Sequence, residues 1–482
     1  MKTVLMQTLL VTLAALVCPA YRVRFQCPPS DQLGSCSCAD TPAVPQVLCE
    51  GINDPEAIHR SLANRYASPI PQLKISQCTF PSLTAGFFAN VTTDRLHING
   101  SGLKLVSGDA FVGLEGLRFL ILAENSLDEV PSEALKKLSF LQTLSLSGNR
   151  IGMLNSSSFP GLTTLKFLVL SDNEIEFIEA GVFNPNLERV TLSRNKIPSL
   201  NGSVRHLANL EWLFASTNEI ESLEGELEGL TSLKLLNLNE NKLTNIAGAF
   251  KDLRSLQTLS LGNNWIEDVG DALAPLSHLW HLNLSRNHLS KIEERNFASL
   301  TQLQTLDLSG NFLTEIGQAL NHLKHLVRLN LSRNSLSSVR LDEIKWLKDL
   351  KELDLSRNQI TSVDSAFGHY VSRISTLKLS DNLLKRIHTG MHFLHDLTEL
   401  DLSYNNLASL DKRDLAKNKR LRRVNMQVHG PFVARCRRWR SRFHQEHEHF
   451  HSATATAGLN NNKQSVEVHS TKKCASQSNF VY

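Results

Sequence analysis

A chain of 482 residues is long enough for two or three ordinary domains, but aromatics make up only 6% of it while leucine is abundant. That balance argues against one large globular core and for stacked aliphatic layers, so internal periodicity has to be examined before domains are counted. The net charge of +4 conceals an asymmetry: residues 411–482 carry 15 Lys+Arg against 5 Asp+Glu, and the first 410 residues hold 36 basic and 42 acidic side chains. The body is mildly acidic and the C-terminal segment strongly basic; no nucleic acid is expected as a partner.

The N-terminus reads as a secretory signal over residues 1–20. Lys2 supplies a basic start, an apolar run extends from Val4 to Val17, and Cys18-Pro19-Ala20 ends on a small residue suited to cleavage. Fourteen residues span a bilayer poorly, which favours removal over a signal-anchor. No later segment has 18 apolar residues in a row, so no membrane span is expected. The cysteines fit an oxidising compartment. Cys27, Cys36, Cys38 and Cys49 cluster within residues 21–65 and read as two disulfides of an N-terminal cap; zinc is the rival reading, and export argues against it.

From about residue 66 to residue 430 the pattern L-x-x-L-x-L-x-x-N recurs. Its Asn falls at Asn125, Asn149, Asn173, Asn195, Asn218, Asn241, Asn264, Asn287, Asn311, Asn334, Asn358, Asn382 and Asn405, in steps of 22 to 24 residues. Two earlier units carry Cys78 and Ser101 at that position, and a degenerate last unit carries His429, giving about 16 repeats. In this leucine-rich repeat the L-x-L core, as in Leu306-Asp307-Leu308, forms a short strand whose leucines stack on neighbouring repeats. The Asn turns inward and bonds backbone groups of adjacent turns. Phe111, Phe159, Phe183, Phe250, Phe297 and Phe367 form a second apolar spine. The expected fold is an α/β repeat solenoid: a leucine-rich-repeat horseshoe with a concave parallel sheet and a convex side of irregular, 3-10 and short helical segments.

Cys27-Pro28, Cys36-x-Cys38 and Cys49 together resemble the N-terminal flank of extracellular leucine-rich-repeat proteins. The resemblance implies the pairs Cys27–Cys38 and Cys36–Cys49. Asp31 and Leu33 between the first cysteines extend it to a group of secreted arthropod proteins that includes the non-catalytic subunit of a decapod shrimp luciferase. The C-terminal end departs from the family's multi-cysteine flank and has only Cys436 and Cys474. Val433, Cys436, Trp439 or Arg440, and Phe443 recur at helical intervals, so residues 431–450 read as a basic helical cap. A Cys436–Cys474 bridge would pin it, which spacing alone leaves open. Residues 451–482 read as a disordered tail.

The variable positions of the sheet face solvent. Most are polar, but in repeats three to ten Phe119, Ile121, Phe167, Val169, Trp212, Phe214, Leu235 and Trp280 are large and apolar, with His281 beside the last. Phe119, Phe167, Trp212, Phe214, Trp280 and His281 are therefore the candidate ligand-binding residues; the plainer reading is local packing. Ala215 stands where a core leucine belongs, so a bulge is expected to turn Phe214 inward to fill the gap. Six sequons, Asn90, Asn99, Asn155, Asn201, Asn283 and Asn330, are candidate glycosylation sites in an exported chain. Glycans at Asn283 and Asn330 would occupy the concave face and push a partner towards the N-terminal half. The segment 412–442 holds twelve Lys/Arg and offers an electrostatic site for anionic glycan, or else the solvated face of a cap. The tract His444, His447, His449 and His451 reads as surface sequence. No nucleophile elbow, phosphate loop or metal helix appears, so neither enzymatic activity, cofactor nor metal is expected.

These features imply an extracellular scaffold for protein or glycoconjugate ligands, in recognition, adhesion or matrix organisation. The arthropod resemblance implies an alternative, a non-catalytic partner subunit of a secreted enzyme. A third reading is a receptor ectodomain whose anchor lies outside this sequence.

Overall fold

The computed structural model describes residues 25, 27–28, 33–39, 44–62, 69–79, 81–205, 207–339, 341–363, 373–387, 389–407 and 415–427. The signal (1–20), Phe367, Cys436, Cys474, the basic cap (431–450) and the tail (451–482) lie outside them, as does most of the basic segment 412–442. The chain divides into two compact units, Met1–Glu174 and Ile175–Tyr482.

The first unit opens on a hairpin. Strand Ser37–Ala39 pairs antiparallel with Gln46–Glu50. Cys27 is bonded to Cys38 and Cys36 to Cys49, first to third and second to fourth. Gln46–Glu50 then pairs in parallel with Gln72–Ser76, so the cysteine module supplies the first strand of the parallel ladder. The helix Pro55–Leu62 fills the return path and buries Ile58 and Leu62. Its start is set by Asp54, whose Oδ1 accepts the Glu56 N–H at 3.0 Å, and by Pro55 in the first turn, where no N–H is needed. Strands Arg95–Asn99, Phe119–Ile121, Thr143–Ser145 and Phe167–Val169 continue the parallel ladder in register. On the other side of the coils Phe88 and Phe111 are fully buried and stack at 6.3 Å.

The second unit adds eleven parallel three-residue strands among its described residues, from Arg189–Thr191 to Arg423–Asn425. The pairing keeps the same row throughout: Leu213 opposes Leu236, then Leu259, Leu282, Leu306 and Leu329. All are buried, as are Phe183, Phe250 and Phe297 of the second spine. A slip of one residue would turn the whole leucine column to solvent, which is why the register does not drift. The bulge expected at Phe214 does not form. Strand Trp212–Phe214 keeps unbroken register with both neighbours, and Ala215 is simply buried in the core. An inserted residue would break the bond pattern on both edges of a central strand, a larger loss than an undersized side chain.

The Asn ladder closes each turn. Asn311 Nδ2 donates to the carbonyls of Leu284 and Leu308, both at 3.0 Å, and its Oδ1 accepts the Leu289 N–H at 3.1 Å. One buried side chain thus satisfies backbone groups of two coils. Cys78 is buried at the equivalent position, its thiol directed at the carbonyls of Cys49 and Ser76, and burial pushes its pKa up. It acts as a small core residue and is not activated as a nucleophile. Among the described residues no helix is long and apolar enough to cross a membrane.

The cap gives a direct stability test. The Cys36–Cys49 bridge closes a loop of 13 residues in sequence separation, and removing a loop of that length costs about 3 kcal/mol in the chain-entropy view. The pair Cys36→Ser with Cys49→Ser is expected to lower the unfolding midpoint of the first unit; unaltered denaturant curves would show that the cap's packing suffices without it.

Candidate functional site

On each sheet, side chains flanking the buried leucine of a strand lie on the face opposite to it, so alternate residues of successive strands form two rows, of which Ser145 and Thr191 are buried and the others partly or fully exposed. In the first unit one row runs Arg95, Phe119, Thr143, Phe167, and the other Lys74, His97, Ile121, Ser145, Val169. Phe119 and Phe167 thus sit two strands apart with Thr143 between them, and both are half-buried. Phe119 is covered by a cation: the Arg95 guanidinium carbon lies 4.3 Å from the ring centroid. His97, one row over, is pushed down to about 4 by burial and by the charges of Lys74 and Arg95. At neutral pH it is therefore an uncharged imidazole set among cations.

In the second unit the rows begin with Arg189, Trp212, Leu235 and with Thr191, Phe214, Asn237. Trp212 and Phe214 meet edge to face at 6.4 Å. The Arg189 guanidinium carbon stands 3.6 Å above the Trp212 ring. Burial lowers the Arg189 pKa against the opposing pull of Glu211 and Glu188. A partly desolvated arginine stacked on indole, itself braced by a phenyl, is a rigid amphipathic anchor of the kind found at interface hot spots. Its arginine comes from the preceding coil and carries no motif signal.

Trp280 sits differently. His281, not Trp280, occupies the row of Trp212. Trp280 lies one residue earlier, is 48% exposed, and directs its indole N–H to Thr258 Oγ1 at 3.3 Å. His281 is half-buried, and burial lowers its pKa against the pull of Asp307. Between the two tryptophans the rows carry the small polar residues Thr258 and Ser260, with Gly262 beyond. Further along the rows become charged. Thr376, Lys378, Glu399, Asp401, Arg423 and Asn425 line an open depression of about 200 Å³. Its charges are largely matched internally: Arg423 pairs with Glu399, and Lys378 reaches Asp354 at 3.1 Å. The acidic and amide residues of this row also cap their own turns, as when Asp354 Oδ1 accepts both N–H and O–H of Ser356, at 3.0 and 2.6 Å. The recurring Asp-Leu-Ser and Asn-Leu-Ser triplets therefore form Asx turns.

The sequons fall in unlike settings. Asn90 is exposed with a φ of 66°. Asn155 Oδ1 accepts the N–H and O–H of Ser157 at 3.0 and 2.6 Å. Asn201 Nδ2 donates to the Ile178 carbonyl at 3.0 Å, and Asn330 Nδ2 to Asp307 Oδ2 at 3.2 Å. Asn283 lies half-buried in the same row as Asn330, and Asn99 ends its strand half-buried.

The leucine-rich-repeat family profile matches overlapping segments from residue 91 to residue 372, and a second leucine-rich-repeat profile matches residues 394–409. A search of curated proteins returns no similar sequence. Among solved structures, a leucine-rich-repeat protein of Leptospira interrogans superposes with a TM-score of 0.64 at 24% identity, covering 78% of this chain and 93% of its own. An internalin of Listeria monocytogenes gives 0.52 at 25% identity, with 69% and 86% covered. A chain of the Drosophila Toll–Spatzle complex gives 0.60 at 19% identity, with 84% and 57% covered. With parallel strands, an inward Asn ladder and profile matches over more than half its length, the chain belongs to the leucine-rich-repeat family.

Proposed function

We propose that this protein is an extracellular, non-catalytic scaffold that captures a protein or glycoconjugate ligand on the solvent-facing rows of its sheet. The observation that carries this reading is the Arg189–Trp212–Phe214 stack in the second unit, an ordered cation and two rings held open on a rigid ladder. Such residues supply large contact area at little entropic cost, because their rotamers are already fixed. Phe119 under Arg95 repeats the device in the first unit. The half-buried polar rows around Asn283 and Asp307 suit hydrogen bonding at the rim. Two disulfides in a short N-terminal module support an oxidising compartment. In that compartment Asn90, whose side chain is exposed, is the sequon first expected to carry glycan. Among the similar folds, Toll was solved in complex with Spatzle, a precedent for a protein ligand on this scaffold.

The test uses paired baits. The tagged full chain and its Trp212→Ala/Phe214→Ala variant are exposed to the same native secretions, and captured species are identified by mass spectrometry. A species retained by the parent and lost at least tenfold from the variant supports the site, since anchors of this type contribute about 2 kcal/mol or more. Equal capture by both baits refutes it. If the retained species is an enzyme at fixed ratio, the non-catalytic subunit reading takes precedence.

A further inference from the structure

The residue that follows each ladder Asn lies outside the sheet rows, on the flank of the coil. In most repeats it is polar: Lys196, Glu219, Lys242, Ser335, Gln359. In three consecutive repeats of the second unit it is Trp265, His288 and Phe312. Trp265 is 48% exposed and Phe312 57% exposed. The His288 and Phe312 rings lie 5.9 Å apart. Their backbones are locked in line, because the N–H groups of Trp265, His288 and Phe312 each bond a carbonyl of the preceding coil at 2.9 Å. Buried Asn264, Asn287 and Asn311 sit directly before them. The strip is thus a fixed platform of three flat rings that the fold does not need for its core.

Cations border it. Arg286 and Arg333 precede ladder asparagines in the same set of turns, are exposed, and have no ion-pair partner among the described residues. Gly310 takes the turn position between them with a φ of 69°, and a Cβ there would meet Arg286 Cγ at 3.1 Å. The missing side chain leaves Arg286 room to lie against the turn of the next coil. The residues one step beyond the buried neighbours are Glu267, Ser290 and Thr314, so the far border is mostly hydroxyl with one carboxylate.

We propose that this flank binds an anionic polysaccharide, with sugar rings stacked on Trp265 and Phe312 and its sulfate or carboxylate groups on Arg286 and Arg333. The strip is one side chain wide at each repeat, too narrow for the fully desolvated core of a protein interface. Alternate repeats are about 10 Å apart, close to the length of a disaccharide, so Trp265 and Phe312 meet equivalent sugars of an extended chain. His288 fills the step between them. Planar guanidinium groups suit sulfate and carboxylate. The surface is separate from the sheet rows, so it stands whether or not the sheet binds a ligand.

The probes are a defined heparin-derived oligosaccharide and its desulfated counterpart, titrated against the full chain by calorimetry. Trp265→Ala/Phe312→Ala is expected to weaken binding of both at least tenfold. Arg286→Ala/Arg333→Ala is expected to weaken the sulfated probe about tenfold at low ionic strength and less at high, as screening predicts. Substituting Arg435, Arg437 and Arg438 by Ser should leave the ring-dependent loss in place. All the substituted flank residues are exposed, so an unchanged unfolding midpoint separates lost binding from lost fold. Parental affinity in the ring variant overturns the proposal. So does binding abolished by the 435/437/438 variant alone, or a flank that captures protein and no oligosaccharide.

Discussion

Asn311→Ala is expected to cost about 2–4 kcal/mol, because the buried N–H of Leu289 loses its acceptor, while the carbonyls of Leu284 and Leu308 each lose one of two amide donors and keep Asn287 and Asn334. Asn311 is only 4% exposed, so water replaces it poorly. In a solenoid each coil touches only its neighbours, so the damage should be centred on the repeats around 284–313. Hydrogen exchange would read it as lost protection at Leu289 and adjacent ladder amides, with distant repeats retaining theirs. Asn311→Asp should behave differently. It keeps an acceptor for the Leu289 N–H but faces two carbonyls with a buried carboxylate, which raises its pKa above the unfolded value. Its stability should therefore be greater at acid pH and fall as pH rises through that shifted pKa. Protection at Leu289 unchanged in the Ala variant would remove the ladder from the account of stability.

The second large effect is the acid sensitivity of the first unit. His97 has its pKa lowered to about 4 in the folded chain by burial and by Lys74 and Arg95, against an ordinary value near 6.5. The unfolded chain therefore binds more protons than the folded one between those values. His97 contributes full stability above pH 6.5, and that contribution is lost as pH falls towards 4. The shift corresponds to about 2–3 kcal/mol, allowing for its incomplete burial. Carboxylates also titrate near the lower end, so the comparison is between the parent and His97→Gln. The parent should lose stability more steeply from pH 7 to 4.5, while the variant should be flatter by that amount. Parallel profiles would mean that His97 is solvated enough to protonate without consequence.

Much of the architecture was readable without coordinates. A buried Asn recurring every 22 to 24 residues with leucines at fixed offsets has few structural solutions. The amide needs three backbone partners, and only the turn after a short strand presents them in every coil. Leu213, Leu282 and Leu329 then fall into one column because the register cannot slip without exposing them all. Pairing within the four-cysteine cap needed the family resemblance, since four cysteines allow three connectivities. Ala215 shows the limit of local reasoning. An undersized core residue suggested a bulge, but both neighbouring strands hold Trp212–Phe214 in register.

The candidate surfaces were less legible. Phe119 and Trp212 could be assigned to the solvent side from alternation alone. Their cationic covers, Arg95 and Arg189, come from the preceding coil some 23 to 24 residues away and are paired with them only by strand register. Trp280 was grouped with Trp212 among the large variable side chains, and it stands one residue earlier at the strand entrance. The platform of Trp265, His288 and Phe312 was not singled out from sequence. Those rings directly follow repeating ladder positions, and alternation does not say on which side of the coil they fall; the path of the turn places them outside.

Sequence by itself determined the repeat, the inward Asn ladder and the leucine columns. These depend on short-range periodicity and on hydrogen bonds that every coil must satisfy in the same way. Tertiary structure alone decided which variable side chains stack, which remain open, and where charge meets a ring. Those outcomes depend on contacts between coils, where the side chains are free to differ because the backbone ladder already holds the fold.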